Sequence, residues 1–172
     1  MQRILVSACL LGVKVRYHGG DAASDHPTLR RWFAEGRIVS ACPERDGGLP
    51  TPRPPAEIVT PAANAGADGA ATLVRRLAVV RTADGVDVSD AFRRGAEAAL
   101  DLVSRYDIRV AVLKEGSPSC GSSLIHDGTF SGTRVRGRGV TAALLESHGV
   151  RVFSEASIDE AQAWLEALEE RN

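Results

Sequence analysis

The chain has three cysteines, and each stands just past a short apolar run. Cys9 follows residues 4–8 (Ile-Leu-Val-Ser-Ala) and Cys42 follows residues 38–41 (Ile-Val-Ser-Ala). Cys120 lies in Gly116-Ser117-Pro118-Ser119-Cys120-Gly121, the loop after residues 110–113 (Val-Ala-Val-Leu). Runs this short and apolar read as buried strands. If the strands are parallel, all three thiols gather at one end of one sheet. A single free cysteine usually reads as core, since Cys is among the most buried residue types. Three that sit past their strands, Cys42 beside Pro43 and Cys120 between Ser119 and Gly121, read as one site.

Thiolate chemistry narrows the options. A disulfide would leave one thiol over. Structural zinc takes four ligands, often from Cys-x-x-Cys pairs, and no such pair occurs. His18, His26, His126 and His148 are the histidines available to complete a zinc site, and His18 is near Cys9 in the chain. That reading stays open. Three thiolates without an obvious fourth suit a [4Fe–4S] cluster with one iron left open. An open iron is a Lewis acid with affinity for sulfur. Gly12, Gly47, Gly48 and Gly121 would let backbone N–H groups approach such a cluster, although a turn explains each equally well.

The elements that must carry these loops follow from the pattern. Residues 28–35 and 140–147 read as short helices, stopped by Gly36 and Gly149. Residues 89–104 put Phe92, Ala96, Ala99, Leu100 and Val103 on one face of a longer helix, with Ser89 as its cap. Ser157 and Glu160 form a capping-box pattern opening a last helix that ends near Glu170. Residues 150–153 make a fourth strand. Residues 77–81 and 86–88 flank Ala83-Asp84-Gly85 as a hairpin. The Pro- and Gly-rich residues 42–55 exclude a helix or a central strand and read as a shaped loop. Residues 61–72, low in complexity, read as a mobile insertion. The expected fold is α/β: one small Rossmann-like domain over residues 1–172. It has a parallel sheet of about four strands flanked by helices, with an inserted loop and hairpin. In such sheets the ligand crevice lies outside the carboxyl ends of the strands.

Composition sets limits. The chain has 172 residues, 44% hydrophobic and 25% charged, so it is not disordered as a whole. Aromatics are 5%, so the core must come from Val, Leu, Ile and Ala. Net charge is −1, from 21 Lys and Arg against 22 Asp and Glu. That balance argues against wrapping duplex nucleic acid. No apolar run is long enough to cross a membrane. Free, odd-numbered cysteines and no signal-peptide pattern lead us to expect a cytoplasmic protein.

Several strings resemble the domain-of-unknown-function family 523, whose characterised members are thiouracil desulfidases. They are Cys9-Leu-Leu-Gly12 with Val15-Arg16-Tyr17, Cys42-Pro-Glu44 with Gly47-Gly48-Leu49 and Pro52-Arg53-Pro54, and Leu113-Lys114-Glu115 with Ser117-Pro-Ser-Cys120-Gly121. Asp127-Gly-Thr-Phe130 and Gly139-Val-Thr-Ala142 complete the set. His18 stands where the family usually carries Asp. The resemblance implies a [4Fe–4S] cluster held by Cys9, Cys42 and Cys120. It implies a reaction in which C=S and water give C=O and hydrogen sulfide, the open iron accepting the sulfur of a thiolated pyrimidine.

On that reading, Glu44 deprotonates a water or protonates a ring nitrogen, and rigid Pro43 fixes its distance from Cys42. Ser117 hydrogen-bonds the substrate or the developing oxyanion, with Ser119 as its rival. Lys114, one of two lysines, is a substrate contact or a solvated strand end. Arg53 binds an anionic substrate group or pairs with Glu57. Arg134, Arg136 and Arg138 read as a solvated edge strand rather than a phosphate grip. The expected partner is a small thiolated base, nucleoside or nucleotide, with thiolated tRNA less favoured and the chain a monomer. Two competing classes are a non-catalytic iron–sulfur or zinc sensor or structural protein, and a flavodoxin-like nucleotide binder. The second is weak, because no Gly-x-Gly-x-x-Gly follows the first strand.

Overall fold

Four segments rich in Val, Ile, Leu and Ala form the strands of a sheet covered on both faces. In the computed structural model, which describes residues 1–61, 63, 66–74 and 77–171, the elements run as follows. They are β1 (Ile4–Ser7), α1 (Pro27–Ala34), β2 (Ile38–Ala41), α2 (Pro43–Asp46), β3 (Ala56–Val59), α3 (Gly69–Val74) and β4 (Val79–Thr82). Then come α4 (Ser89–Arg105), β5 (Val110–Leu113), β6 (Leu124–His126), β7 (Arg134–Arg136), α5 (Val140–Ser147), β8 (Arg151–Ser154) and α6 (Ile158–Glu170). The central sheet has the order β2-β1-β5-β8, and its three pairings are parallel. The α/β architecture and the four parallel strands match the expectation.

The two faces of the sheet bury separate cores. On one face Ile4, Val6, Val110 and Val112 pack with Trp32 of α1 and with Ile158 and Leu165 of α6. On the other, Leu5, Ala111 and Leu113 pack with Ala99 and Val103 of α4 and with Ala142 and Leu145 of α5. Alternate residues of one strand thus serve opposite layers. A third core joins Ile58, Val80, Phe92, Ala96, Ile125 and Val140. It fixes two small antiparallel sheets, β3-β4 and β6-β7, onto α4 and α5.

The structure departs from the sequence reading in the long connection. The segment read as excluding a helix contains α2. Pro43 is tolerated because it occupies the first helical position, where its missing N–H would have had no partner. The Ala83-Asp84-Gly85 turn exists and is closed by Thr82 N to Val86 O and Val88 N to Val80 O, both at 2.9 Å, around an Arg81–Asp87 bridge, but the ladder of β4 is with β3. The insertion call falls partly on residues 62, 64 and 65, which lie outside the described residues. From Asp68 onward the segment is bound. The Asp68 carboxylate accepts from Arg138 Nε at 3.1 Å, and Thr72 is fully buried.

Two caps also differ. Ser89 does not cap α4: its hydroxyl accepts the Val80 N–H at 2.9 Å, tying the helix to β4. Ser157 makes no capping bond for α6; Ser154 instead accepts the Ala156 N–H at 3.2 Å in the preceding 3-10 turn.

Candidate active site

The sheet order reverses between β1 and β5, and open α/β sheets form their crevice at such a switch point. Cys9 leaves β1 in a 3-10 turn, Ala8–Leu11. Cys42 leaves β2, next to β1, and precedes α2. Cys120 comes from the loop after β5. All three side chains line one cavity of about 410 Å³. The loops of the main sheet supply one part of its wall. Glu57 of β3, His126 of β6, Phe130 and Arg134 of β7 supply another.

The thiols are free, with no disulfide. Burial, then the neighbouring Cys42, pushes the Cys9 thiol up to about 11. Burial raises Cys42 as well, opposed by a backbone hydrogen bond at Arg45. Burial also raises Cys120; Cys9, Glu44 and Cys42 add to it, and a hydrogen bond with the Ser7 hydroxyl opposes it. The three thiols therefore feel one another's charge. They stay protonated near neutrality until a cation replaces the protons. Among the described residues no three His, Cys, Asp or Glu side chains converge to hold a single metal ion. Cys9, Cys42 and Cys120, on one cavity, are the residues that could hold an iron–sulfur cluster there.

Each loop is held by identifiable bonds. The Cys120 loop is fixed from two sides. Glu115 accepts from Ser122 N at 2.9 Å, Leu124 N at 3.1 Å and Ser123 N at 3.2 Å, and from the hydroxyls of Ser122 and Ser123 at 3.0 and 2.9 Å. Burial disfavours this carboxylate's charge, but those donors outweigh it and lower its pKa. From the other side the start of α5 donates Val140 N to Pro118 O at 2.9 Å and Thr141 N to Ser119 O at 2.8 Å. Gly139 makes this approach possible: a Cβ there would strike the Ser119 carbonyl. The Cys42 loop is fixed by α2 against α4, where a side chain on Gly95 would strike the Pro43 carbonyl.

The other candidate residues divide. Glu44, Ser117 and Lys114 line the cavity with the thiols. The Arg53 side chain, 4% exposed, lies off the lining. It pairs with Glu44 at 2.8 Å, not with Glu57, and donates to the carbonyls of Val15 and Pro50 at 3.0 and 3.1 Å. Ser119 is fully buried, 2.8 Å from the Thr141 hydroxyl, and is also off the lining. Ser117 Oγ accepts the N–H groups of Ser119 and Cys120, both at 3.1 Å, which leaves its own proton to donate. Lys114 pairs with Glu155 and donates to Glu115 O at 3.2 Å.

Backbone and histidine expectations change too. The N–H groups of Gly12, Gly47, Gly48 and Gly121 all donate to turn carbonyls, so these glycines shape turns. His18 accepts the Gly20 N–H at 3.0 Å and is not on the cavity; the histidine that shares it with the thiols is His126. Arg138 pairs with Asp68 and Glu146, whereas Arg134 reaches the cavity. Sequence reasoning gave Glu115 and Ser7 no role at the site, and named Glu57 only as a partner for Arg53 and His126 only as a possible zinc ligand. Only Glu115, directly after Lys114 in a Gly- and Ser-rich stretch, left a signal: a carboxylate beside many small donors.

Comparison with known proteins agrees with this geometry. The model of the 2-thiouracil desulfurase family matches residues 4–157. The uncharacterized protein YbbK of Bacillus subtilis (strain 168) is 43% identical over 157 residues, 91% of this chain and 98% of that protein. A solved structure, of the [4Fe-4S]-dependent thiouracil desulfidase TudS, is 45% identical with a TM-score of 0.85, covering 97% of this chain and 99% of that one. Three thiols at the rim of one parallel sheet, in a fold shared along nearly its whole length, lead to one assignment: the chain belongs to the 2-thiouracil desulfurase family.

Proposed function

We propose that this protein is a [4Fe–4S]-dependent desulfidase that converts the C=S group of a thiolated pyrimidine to C=O, with water as co-substrate and hydrogen sulfide as product. The observation that carries this reading is the single cavity lined by Cys9, Cys42 and Cys120, with no disulfide among them. An all-sulfur donor set is what an iron–sulfur cluster takes, and the three thiols would hold it. A cluster bound there supplies Lewis acidity at the iron that no cysteine holds.

The chain's own residues do the rest. Arg53 grips one oxygen of Glu44 and fixes the carboxylate at the cavity wall. Glu44 takes a proton from the attacking water. Ser117 donates its hydroxyl proton toward the oxygen that develops charge, while its lone pairs hold the Cys120 loop. Lys114, neutralised by Glu155, sets the electrostatics beside Cys9 and contacts substrate at the strand end. Ser119 and Arg53 act by positioning. No helix among the described residues is long and apolar enough to cross a membrane. The reading places a monomer in the cytoplasm, acting on a free base, nucleoside or nucleotide.

Anaerobic purification followed by a sulfide-release screen over thiolated bases, nucleosides and nucleotides tests it. The protein should be brown and contain iron and sulfide. Cys9→Ala, Cys42→Ala and Cys120→Ala should lose iron and activity. Glu44→Gln should keep iron and slow release about a hundredfold. Sulfide release that survives any cysteine change would defeat the reading. A brown protein that frees no sulfide from any thiopyrimidine would be a sensor instead.

A further inference from the structure

His126 is the one histidine on the cavity wall, and its ring is placed in a way the mechanism above does not use. It ends β6, touches β3 through the contact of the two small sheets, and faces Arg134 in the β6-β7 register. Its Nδ1 is buried without a hydrogen-bond partner. Glu57 Oε1 stands 3.9 Å from that nitrogen. The Glu57 side chain is 7% exposed, and its other oxygen accepts the Phe130 N–H at 3.0 Å. So the carboxylate is anchored, and its free oxygen is turned to the ring. A buried nitrogen is costly without a partner, and here the nearby acceptor is anionic. A proton on Nδ1, met by Glu57 after a small ring rotation, resolves both. The ring side chain is 30% exposed and lines the cavity, which leaves Nε2, opposite the buried Nδ1, as the nitrogen a ligand can meet. With the proton on Nδ1, Nε2 is an acceptor.

We propose that His126 determines which ring the cavity takes: held by Glu57 through Nδ1–H, it accepts through Nε2 a hydrogen bond from a ring N–H of the pyrimidine. This rests on the reading of the cavity as a thiolated-pyrimidine site and adds its recognition element. A pyrimidine in its lactam form offers N1–H and N3–H as donors. Methylation at the nitrogen that meets His126 removes the donor and leaves Nε2 unpaired, which a site built around that bond rejects.

The test needs no sulfur chemistry. Uracil, 1-methyluracil and 3-methyluracil are titrated calorimetrically into anaerobically purified protein. The wild type should bind one methylated ring about tenfold more weakly than uracil. His126→Phe should bind uracil about tenfold more weakly and no longer distinguish that methylated ring. His126→Gln keeps a carbonyl acceptor and should recover most of the affinity. Glu57→Gln can still accept from Phe130 N but offers an N–H to Nδ1, which moves the imidazole proton to Nε2. It should weaken uracil binding while leaving the fold intact. If His126→Phe misfolds, the Gln pair still decides. Equal uracil affinity in His126→Phe or Glu57→Gln, an unchanged preference among the three rings, or no uracil binding by the wild type would each overturn the proposal. A protein that shows this binding pattern yet frees no sulfide would leave His126 in its role and remove the desulfidase reading alone.

Discussion

At the scale of single residues, burial decides which charge pair matters. Arg53 and Glu44 meet at 2.8 Å with side chains 4% and 20% exposed, whereas Arg109 and Asp107 meet at 2.9 Å with 56% and 74% exposed. The exposed pair is screened and contributes about 0–1 kcal/mol. Breaking the buried one strands a charge and two carbonyls. Arg53→Met, which keeps the apolar stem, should cost about 3–5 kcal/mol in urea unfolding, while Arg109→Met should cost under about 1 kcal/mol. Arg53 was recognisable in the sequence as a constrained cation between prolines. Its partner was not, because Glu57 is nearer in the chain than Glu44, and only α2 brings Glu44 back toward it. The cysteines were legible for the opposite reason. Each directly follows a strand or lies in the loop after one, so once the strands are parallel the thiols have little freedom of place.

At the scale of elements, the Cys120 loop depends on a carboxylate that belongs to no helix or strand. Glu115 joins the loop's entry to its exit through Ser122, Ser123 and Leu124. Its folded pKa lies below its ordinary value of 4.5, so the bonds contribute fully above about that pH and fade as pH falls through the lower, folded value. The stability of the wild type in urea should therefore drop on acidification below pH 4.5 more steeply than that of Glu115→Gln. At neutral pH the variant should lose about 1 kcal/mol, a modest figure because the carboxylate is only half-buried. Faster amide exchange at residues 122–124 would localise the effect. The long Pro- and Gly-rich stretch was the least legible part. Proline arithmetic excludes helix interiors but not a first turn, which is how α2 was missed. β3 was missed because its partner, β4, lies beyond a stretch of chain with no periodic pattern.

At the scale of the whole molecule, the main sheet and the two small sheets are separate bodies joined at α4 and α5. Phe92 is fully buried where they meet, among Ile58, Val80, Ile125 and Val140. Phe92→Ala should cost about 3–5 kcal/mol. Hydrogen exchange should rise first in β3, β4 and β6, with β1 and β5 still protected. The parallel sheet was readable from four apolar runs and intervening helical faces. The small sheets were not: β6 and β7 have three residues each, and Glu57 in β3 and Arg81 in β4 break the apolar run that marks β1, β2 and β5. The three sulfur-bearing loops come from widely separated stretches of the chain and meet only where β1, β2 and β5 lie side by side. During synthesis β1 and β2 can bring two of the thiols together early, but the complete pocket exists only after the loop carrying Cys120 has been made, so anything that needs all three thiols engages them late.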